Sequence, residues 1–225
     1  MAFTPIFPRM FPGTFDRHAA AAAAPVVDWW PVTGKTTVAA YQPKGAASQA
    51  ASYSNLANPG TYDAAPGTAP TWASGTGWSF AASSSHWLTT GYTISAESST
   101  TVLVRFASLG TQVGDNPQTL FSTLVFDIQA RWWGSVRHVC GSAAGTSAGE
   151  ITSGVFALAP SGLYQDGSVR VSFSAGDHAS DGVLLIGKHP TQGWYLTANV
   201  LAFAVYSDAL TAGEVATVSA AMAAL

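Results

Sequence analysis

Asn199-Val200-Leu201-Ala202-Phe203-Ala204-Val205-Tyr206-Ser207-Asp208-Ala209-Leu210-Thr211-Ala212-Gly213-Glu214-Val215 opens the stretch, continuing to Leu225, whose reading decides the fold. Asn199 to Tyr206 is almost continuously apolar, the composition of a strand covered on both faces. The chain then changes period. Thr211 is placed to cap a helix, and Glu214, three residues on, closes a capping box. Leu210 and Val215 occupy the two positions of a hydrophobic staple. Val215, Val218, Met222 and Leu225 recur at helical spacing on one face. A buried strand therefore runs into a short helix that docks on its own domain.

Upstream, the strand pattern is regular from Trp78 onward. Short β-branched and aromatic runs alternate with Gly, Asn, Asp and Ser turns. Thr101 to Phe106 and Val169 to Phe173 alternate with period two. Asp166-Gly167, between Tyr164 and Val169, is a hairpin signal, because both residues tolerate positive φ. Many short strands and one terminal helix predict an all-β fold of two packed antiparallel sheets. Residues 42–76, rich in Ala, Ser, Gly, Pro and Asn, predict long surface connections.

Several of these pieces carry a resemblance. "YSDALTAGEVATVSAAM" resembles the closing pattern of the laminin-G-like/concanavalin-A-like superfamily, a core strand followed by a short helix. "GWSFAASSSHWLTT" (Gly77 to Thr90), "TTVLVRFAS", "GLYQDGSVRVSF" (Gly162 to Phe173) and "VLLIGKH" (Val183 to His189) match other strands in the expected order. "APTWASGTGWSF" and the closing segment are most similar to laminin-G-like structural proteins of tailed bacteriophages. The resemblance covers roughly residues 70–225. It implies a jelly-roll β-sandwich over 31–225 with a short C-terminal helix, in a non-enzymatic virion protein of the capsid-decoration or tail-associated kind. Such a protein is made in the host cytoplasm and assembled into a particle with other virion proteins, as a homo-oligomer.

Composition bounds the function classes. Apolar residues are 48% and charged residues 9%, against about 25% charged in an ordinary domain. Either other chains cover much of the surface, or the surface is a neutral Ser/Thr/Ala one. The formal charge of −3, with no basic cluster, argues against nucleic acid as a partner. No apolar run is long enough for a membrane span. Cys140 is the single cysteine, so no internal disulfide forms, and a buried inert thiol is expected.

Residues 1–30 differ from the rest. Pro5, Pro8, Pro12 and Gly13 forbid a regular helix or central strand. Phe3, Ile6, Phe7, Phe11 and Phe15 supply aperiodic apolar anchors. This reads as an extended arm that binds another surface, the alternative being that it drapes over its own domain. Met1 to Ala24 lacks the early positive charge of a signal peptide and is broken by prolines. Trp29-Trp30 reads as an anchor beside the arm. Gly34-Lys35-Thr36 matches the end of a phosphate-binding loop, but Trp29 stands where that motif needs glycine.

For chemistry, the hydrolases of this superfamily place paired acids on one strand. The three glutamates here, Glu97, Glu150 and Glu214, have no carboxylate two to four positions away. Glycoside hydrolysis is thus the weakest reading. Cys140 and His138 share a strand face, a spacing common by chance. Asp177 and Asp181 form the best candidate Ca²⁺ cluster, and oxygen ligands suit that ion, although Asp and Ser are also ordinary turn formers; no other cofactor is implied. Glycan recognition, the alternative function, would use Arg131, Trp132, Trp133, Trp194 and Tyr195. Trp132 and Trp133 point to opposite sheet faces, so at most one enters the core. The ordinary alternative for each aromatic is core packing or a subunit contact. A host-surface glycan is the ligand this reading implies.

Overall fold

The computed structural model describes residues 28–111, 116–132, 134–149, 151–177 and 182–225. The anchor residues Phe3, Ile6, Phe7, Phe11 and Phe15, together with Trp133 and Asp181, lie outside the described residues, as does the side chain of Trp132.

Fifteen strands are described: β1 (Thr37–Tyr41), β2 (Ala65–Thr68), β3 (Thr71–Ala73), β4 (Gly77–Phe80), β5 (Trp87–Ile94), β6 (Thr101–Ala107), β7 (Gln118–Ser122), β8 (Phe126–Trp132), β9 (Ser135–Cys140), β10 (Ala143–Ala148), β11 (Gly154–Ala159), β12 (Gly162–Gln165), β13 (Ser168–Ser172), β14 (Gly182–Ile186) and β15 (Ala198–Tyr206). A one-turn helix α1 (Gln49–Ser52) and a longer α2 (Ala212–Ala224) complete the described elements. The strands form two antiparallel sheets. One runs β13-β12-β11-β6-β15-β4-β3, with β1 also on β15; the other runs β10-β9-β8-β7-β14-β5-β2. The predicted two-sheet sandwich is therefore observed.

β15 organises the first sheet. One edge pairs along β6; the other is shared by β4 near Ala198 and β1 near Tyr206. Its alternation explains the apolar run. Phe203 and Val205 face the core between the sheets, whereas Ala202, Ala204 and Tyr206 face outward into a second apolar cluster under α2. The same division splits Val102 and Val104 from Leu103, and Phe156 and Leu158 from Ala157. Burial on both faces thus follows from a helix laid over the outer face, which a lone sheet pair would not provide.

The helix start is as expected. Thr211 Oγ1 accepts the Glu214 N–H at 3.3 Å, and Glu214 Oε2 accepts the Thr211 N–H at 2.7 Å. Val215, Val218 and Met222 are buried, and Leu210 packs with them. The other end is held by two cations from the sandwich. Arg105 Nη1 donates to the Met222 carbonyl and Lys44 Nζ to that of Leu225, both at 2.8 Å, where the helix dipole favours positive charge. The Asp166-Gly167 hairpin also forms, with φ of 50° and 81°. At Gly167 a Cβ would lie 2.9 Å from Ala216 Cα of α2, so this turn needs glycine both for its φ and for the close approach.

Two regions differ from expectation. Trp29 and Trp30 are buried in the cluster beneath α2, and Tyr206 donates to the Trp30 carbonyl at 2.6 Å. Residues 42–76 are not merely surface connection. They contribute α1, β2 and β3, and Asn55 is fully buried among backbone groups. Its Oδ1 accepts the Ala40 N–H, while its Nδ2 donates to Val38 and Thr61 carbonyls. One amide side chain thus substitutes for a strand ladder. Ser52, at the end of α1, accepts the indole N–H of Trp78 at 2.7 Å in the core. Among the described residues no helix is long and apolar enough to cross a membrane.

Candidate functional site

The seven-stranded sheet carries a layer of polar residues on the face turned away from the core. On β8, Phe126, Ile128 and Ala130 enter the inter-sheet core. Asp127 and Gln129 must then project to the opposite face. Register sets Ser122 and Thr119 of β7 beside them on one side, and Val139 and Arg137 of β9 on the other. Asp127, Gln129, Thr119 and Ser122 are all buried, although they lie outside the apolar core. Buried polar groups in a sheet face demand partners, and here they partly find one another. Gln129 Nε2 donates to Asp127 Oδ2 at 2.9 Å, and Arg137 Nη1 approaches the same oxygen at 3.4 Å. Asp127 Oδ1, Gln129 Oε1 and Thr119 Oγ1 have no hydrogen-bond partner among the described residues.

A hairpin folds over this layer. It leaves β14 at Gly187, whose N–H donates to the Leu120 carbonyl, and closes through His189 N–H to Trp194 O and Leu196 N–H to Gly187 O, each at 3.0 Å. Ser122 Oγ fastens it by donating to the Lys188 carbonyl at 2.6 Å. His189 Nδ1 accepts the N–H groups of Thr191 (3.4 Å) and Gln192 (3.3 Å). That fixes the tautomer: the proton sits on Nε2, 3.8 Å from Asp127 Oδ2. This distance exceeds a hydrogen bond. The Trp194 ring meets the imidazole edge-on, with centroids 5.0 Å apart.

Burial pushes the Asp127 carboxyl up to about 7, against the opposing pull of Arg137 and the hydrogen bonds from Gln129 and Arg137. Burial, and then the charge of Arg137, push His189 below its ordinary value. Near neutral pH the imidazole is therefore uncharged, and the His189–Asp127 contact is not an ion pair. The arrangement is a buried carboxyl that holds its proton more tightly than usual, flanked by a guanidinium, an amide and a neutral imidazole N–H. Its accessible rim consists of half-buried Arg137, Lys188, Trp194 and Tyr195. Beside Tyr195 opens a cleft of 130 Å³ lined also by Ala82, Ser83, Asn116, Gln118 and Gly193.

Of the residues singled out from sequence, Trp194 and Tyr195 belong to this rim. Arg131 continues β8 beyond Gln129, half-buried and at positive φ (56°), within a bulge before Trp132. Asp177 is exposed and accepts the Ser98 N–H at 2.9 Å. Among the described residues no group of three or more His, Cys, Asp or Glu is arranged to hold a metal ion. His138 and Cys140 both turn inward. His138 stacks on Phe173 at 4.9 Å, and burial, reinforced by nearby Glu97, pushes the Cys140 thiol up to about 12. That thiol stays protonated and unreactive at physiological pH. Sequence reading missed Asp127, Gln129, Arg137, His189 and Lys188. A signal was present: Phe126-Asp127-Ile128-Gln129-Ala130 alternates strictly, setting a carboxyl and an amide on one face.

No family model matches the chain, and no curated protein matches it. Among solved structures, Trypanosoma rangeli sialidase aligns with a TM-score of 0.57 at 15% identity, covering 90% of this chain and 36% of the sialidase. The chain thus spans about a third of that protein. The binding domain of Paraclostridial Mosquitocidal Protein 1 aligns with a TM-score of 0.58 at 10% identity, covering 80% and 51%. Domain 4 of AbnA, a GH43 extracellular arabinanase from Geobacillus stearothermophilus in complex with arabinotriose, aligns with a TM-score of 0.50 at 12% identity, covering 82% and 98%. At these identities the likeness is one of fold alone, that of a two-sheet antiparallel β-sandwich.

Proposed function

We propose that this protein is a non-enzymatic carbohydrate-binding sandwich. The observation that carries the reading is the outer face of the seven-stranded sheet. There Arg137, Asp127, Gln129 and His189 form one polar network beside Trp194 and Tyr195. Sugar hydroxyls are recognised by such carboxyl, amide and guanidinium groups, and sugar ring faces by aromatic rings. The buried layer fixes the rim groups in place, which reduces the ordering cost of binding. Hydrolysis of a glycosidic bond by the two-carboxyl route needs a second carboxyl several ångströms from the first. Asp127 is the one carboxyl that the described strands set on this face, which supports binding without turnover. The AbnA domain, nearly as long as this sandwich and bound to arabinotriose, supports the same reading by fold analogy.

A phage particle is the setting we propose, with the segment before the buried Trp29 and Trp30 as the tether. Support comes from the ordered resemblance over residues 70–225, from the proline-broken, phenylalanine-rich segment, and from the 9% charged content.

The test uses the full chain on a panel of host-envelope polysaccharides, alongside Trp194→Ala and Tyr195→Ala. Saturable binding that weakens in both variants is expected. Absence of saturable binding across the panel, or binding indifferent to both substitutions, overturns the reading. For the setting, mass spectrometry of purified particles should find the chain, and deletion of residues 2–24 should remove it from them.

A further inference from the structure

We propose that the saccharide taken at this face carries an anionic substituent, seated by Lys188 at the lip of the cleft beside Tyr195. The inference rests on the carbohydrate-binding reading and narrows its ligand class.

The chain has three lysines. Lys35 donates to the Ala209 carbonyl and pairs with Glu214; Lys44 donates to the C-terminal carbonyl of α2. Lys188 has neither a carboxylate nor a hydrogen-bond acceptor among the described residues. Its ammonium sits 4.5 Å from the centroid of the Trp87 ring and 5.9 Å from that of Tyr195. A ring quadrupole holds a cation in position without neutralising it. The charge is therefore fixed in space and remains available to an incoming anion.

The fixture is built from both strands beneath it. Gly67 on β2 makes room for the indole, since a Cβ there would fall 1.9 Å from Trp87 Cε2. Gly187, preceding Lys188, presses its backbone on Phe80: a Cβ would lie 2.6 Å from that ring, and φ is 81°. Two glycines thus set the ring and the lysine backbone in register.

The neighbouring cleft fits the same chemistry. The Gln118 amide in its wall is already used, donating to the Gly110 and Thr111 carbonyls and accepting the Thr197 N–H. It stiffens the wall, leaving Ser83 and Asn116 to meet sugar hydroxyls.

The decisive experiment is calorimetry on the full chain with matched probes: trigalacturonate against its carboxyl-reduced form, sialyllactose against lactose, and a phosphate-substituted oligosaccharide against its dephosphorylated form. At least one acidic member should bind about tenfold or more tighter than its neutral twin, a preference that falls with salt. Lys188→Met, which keeps a stem over Trp87, should abolish the preference; Lys188→Arg should retain it. Equal binding of acidic and neutral twins, or a preference that survives in Lys188→Met, overturns this inference and leaves the carbohydrate-binding reading standing. Absence of binding to every probe, joined to the same silence on the polysaccharide panel, overturns both.

Discussion

Replacing Asp127 by Asn tests the electrostatics of the candidate site directly. The carboxyl is buried, and its folded-state value of about 7 stands well above the ordinary 3.8. At 1.36 kcal/mol per pH unit, that rise represents a free energy on the order of 4 kcal/mol. The sign follows from linkage. A carboxyl raised in the folded state holds its proton longer there than in the unfolded chain. Its contribution is intact below about pH 4 and is lost progressively as pH rises through about 7, after which it is constant. An asparagine side chain at this position would keep the shape and an acceptor for Gln129 and Arg137 but would not titrate. The stability of the wild type relative to Asp127→Asn should therefore fall by on the order of 4 kcal/mol between about pH 4 and pH 8.

His189 titrates in the opposite sense, because its lowered value removes stability as pH falls through its ordinary range. That effect is present in both proteins and largely cancels in the difference. Denaturant titrations followed by fluorescence of the chain's 8 tryptophans, at one-unit pH steps, give the comparison. A difference constant across the range would refute the reasoning. A wild type that gains on the variant as pH rises would refute it more sharply, by showing that attraction to Arg137 outweighs burial and keeps Asp127 ionised.

Thr211→Ala should cost about 1 kcal/mol through loss of the capping box, with Thr211→Ser close to wild type, measured by the denaturation midpoint. Gly67→Ala should destabilise by roughly 1–3 kcal/mol, because the indole of Trp87 must leave its seat; an unchanged melting temperature would contradict the packing described. The Cys140 thiol should resist a thiol reagent at about pH 8 in the native protein and react fully in denaturant, and rapid native labelling would place it elsewhere than the core.

The legible parts of this fold are those encoded by neighbours in sequence. Thr211 and Glu214 cap a helix whatever surrounds them, and Asp166-Gly167 turns a hairpin by its own φ preferences. The apolar run through Tyr206 announced a doubly covered strand, and its outer face does join the apolar cluster that holds Trp29, Trp30 and the buried side of α2. Asn55 was not legible. Its neighbours are turn formers, and its value comes from meeting the backbone of Val38 and Ala40, far enough away that no local pattern marks it. The site was partly legible, through Trp194 and Tyr195, as aromatics after a Pro/Gly loop. Asp127 and Gln129 were hidden for a different reason. Their alternation is readable, but whether their face is solvent, helix-covered or roofed by a hairpin depends on where the chain after β14 returns.

Comparing the two sheets shows why the hidden part matters. β6 and β8 both sit inside their sheets, and both send alternate residues into the common core. The outward residues of the first sheet that join the cluster with α2 are apolar: Leu103, Ala157, Ala204. The outward residues of the second include Asp127, Gln129, Thr119 and Ser122, equally buried but polar. Stability alone would not choose this. A buried charged or amide cluster with unfilled acceptors is commonly neutral or unfavourable relative to apolar residues of the same size. The fold shows, on its other sheet, that it can fill such positions with Leu and Ala. The polar layer braces the rim instead: Arg137 is held by Asp127, and the hairpin bearing Lys188, Trp194 and Tyr195 is fastened by Ser122.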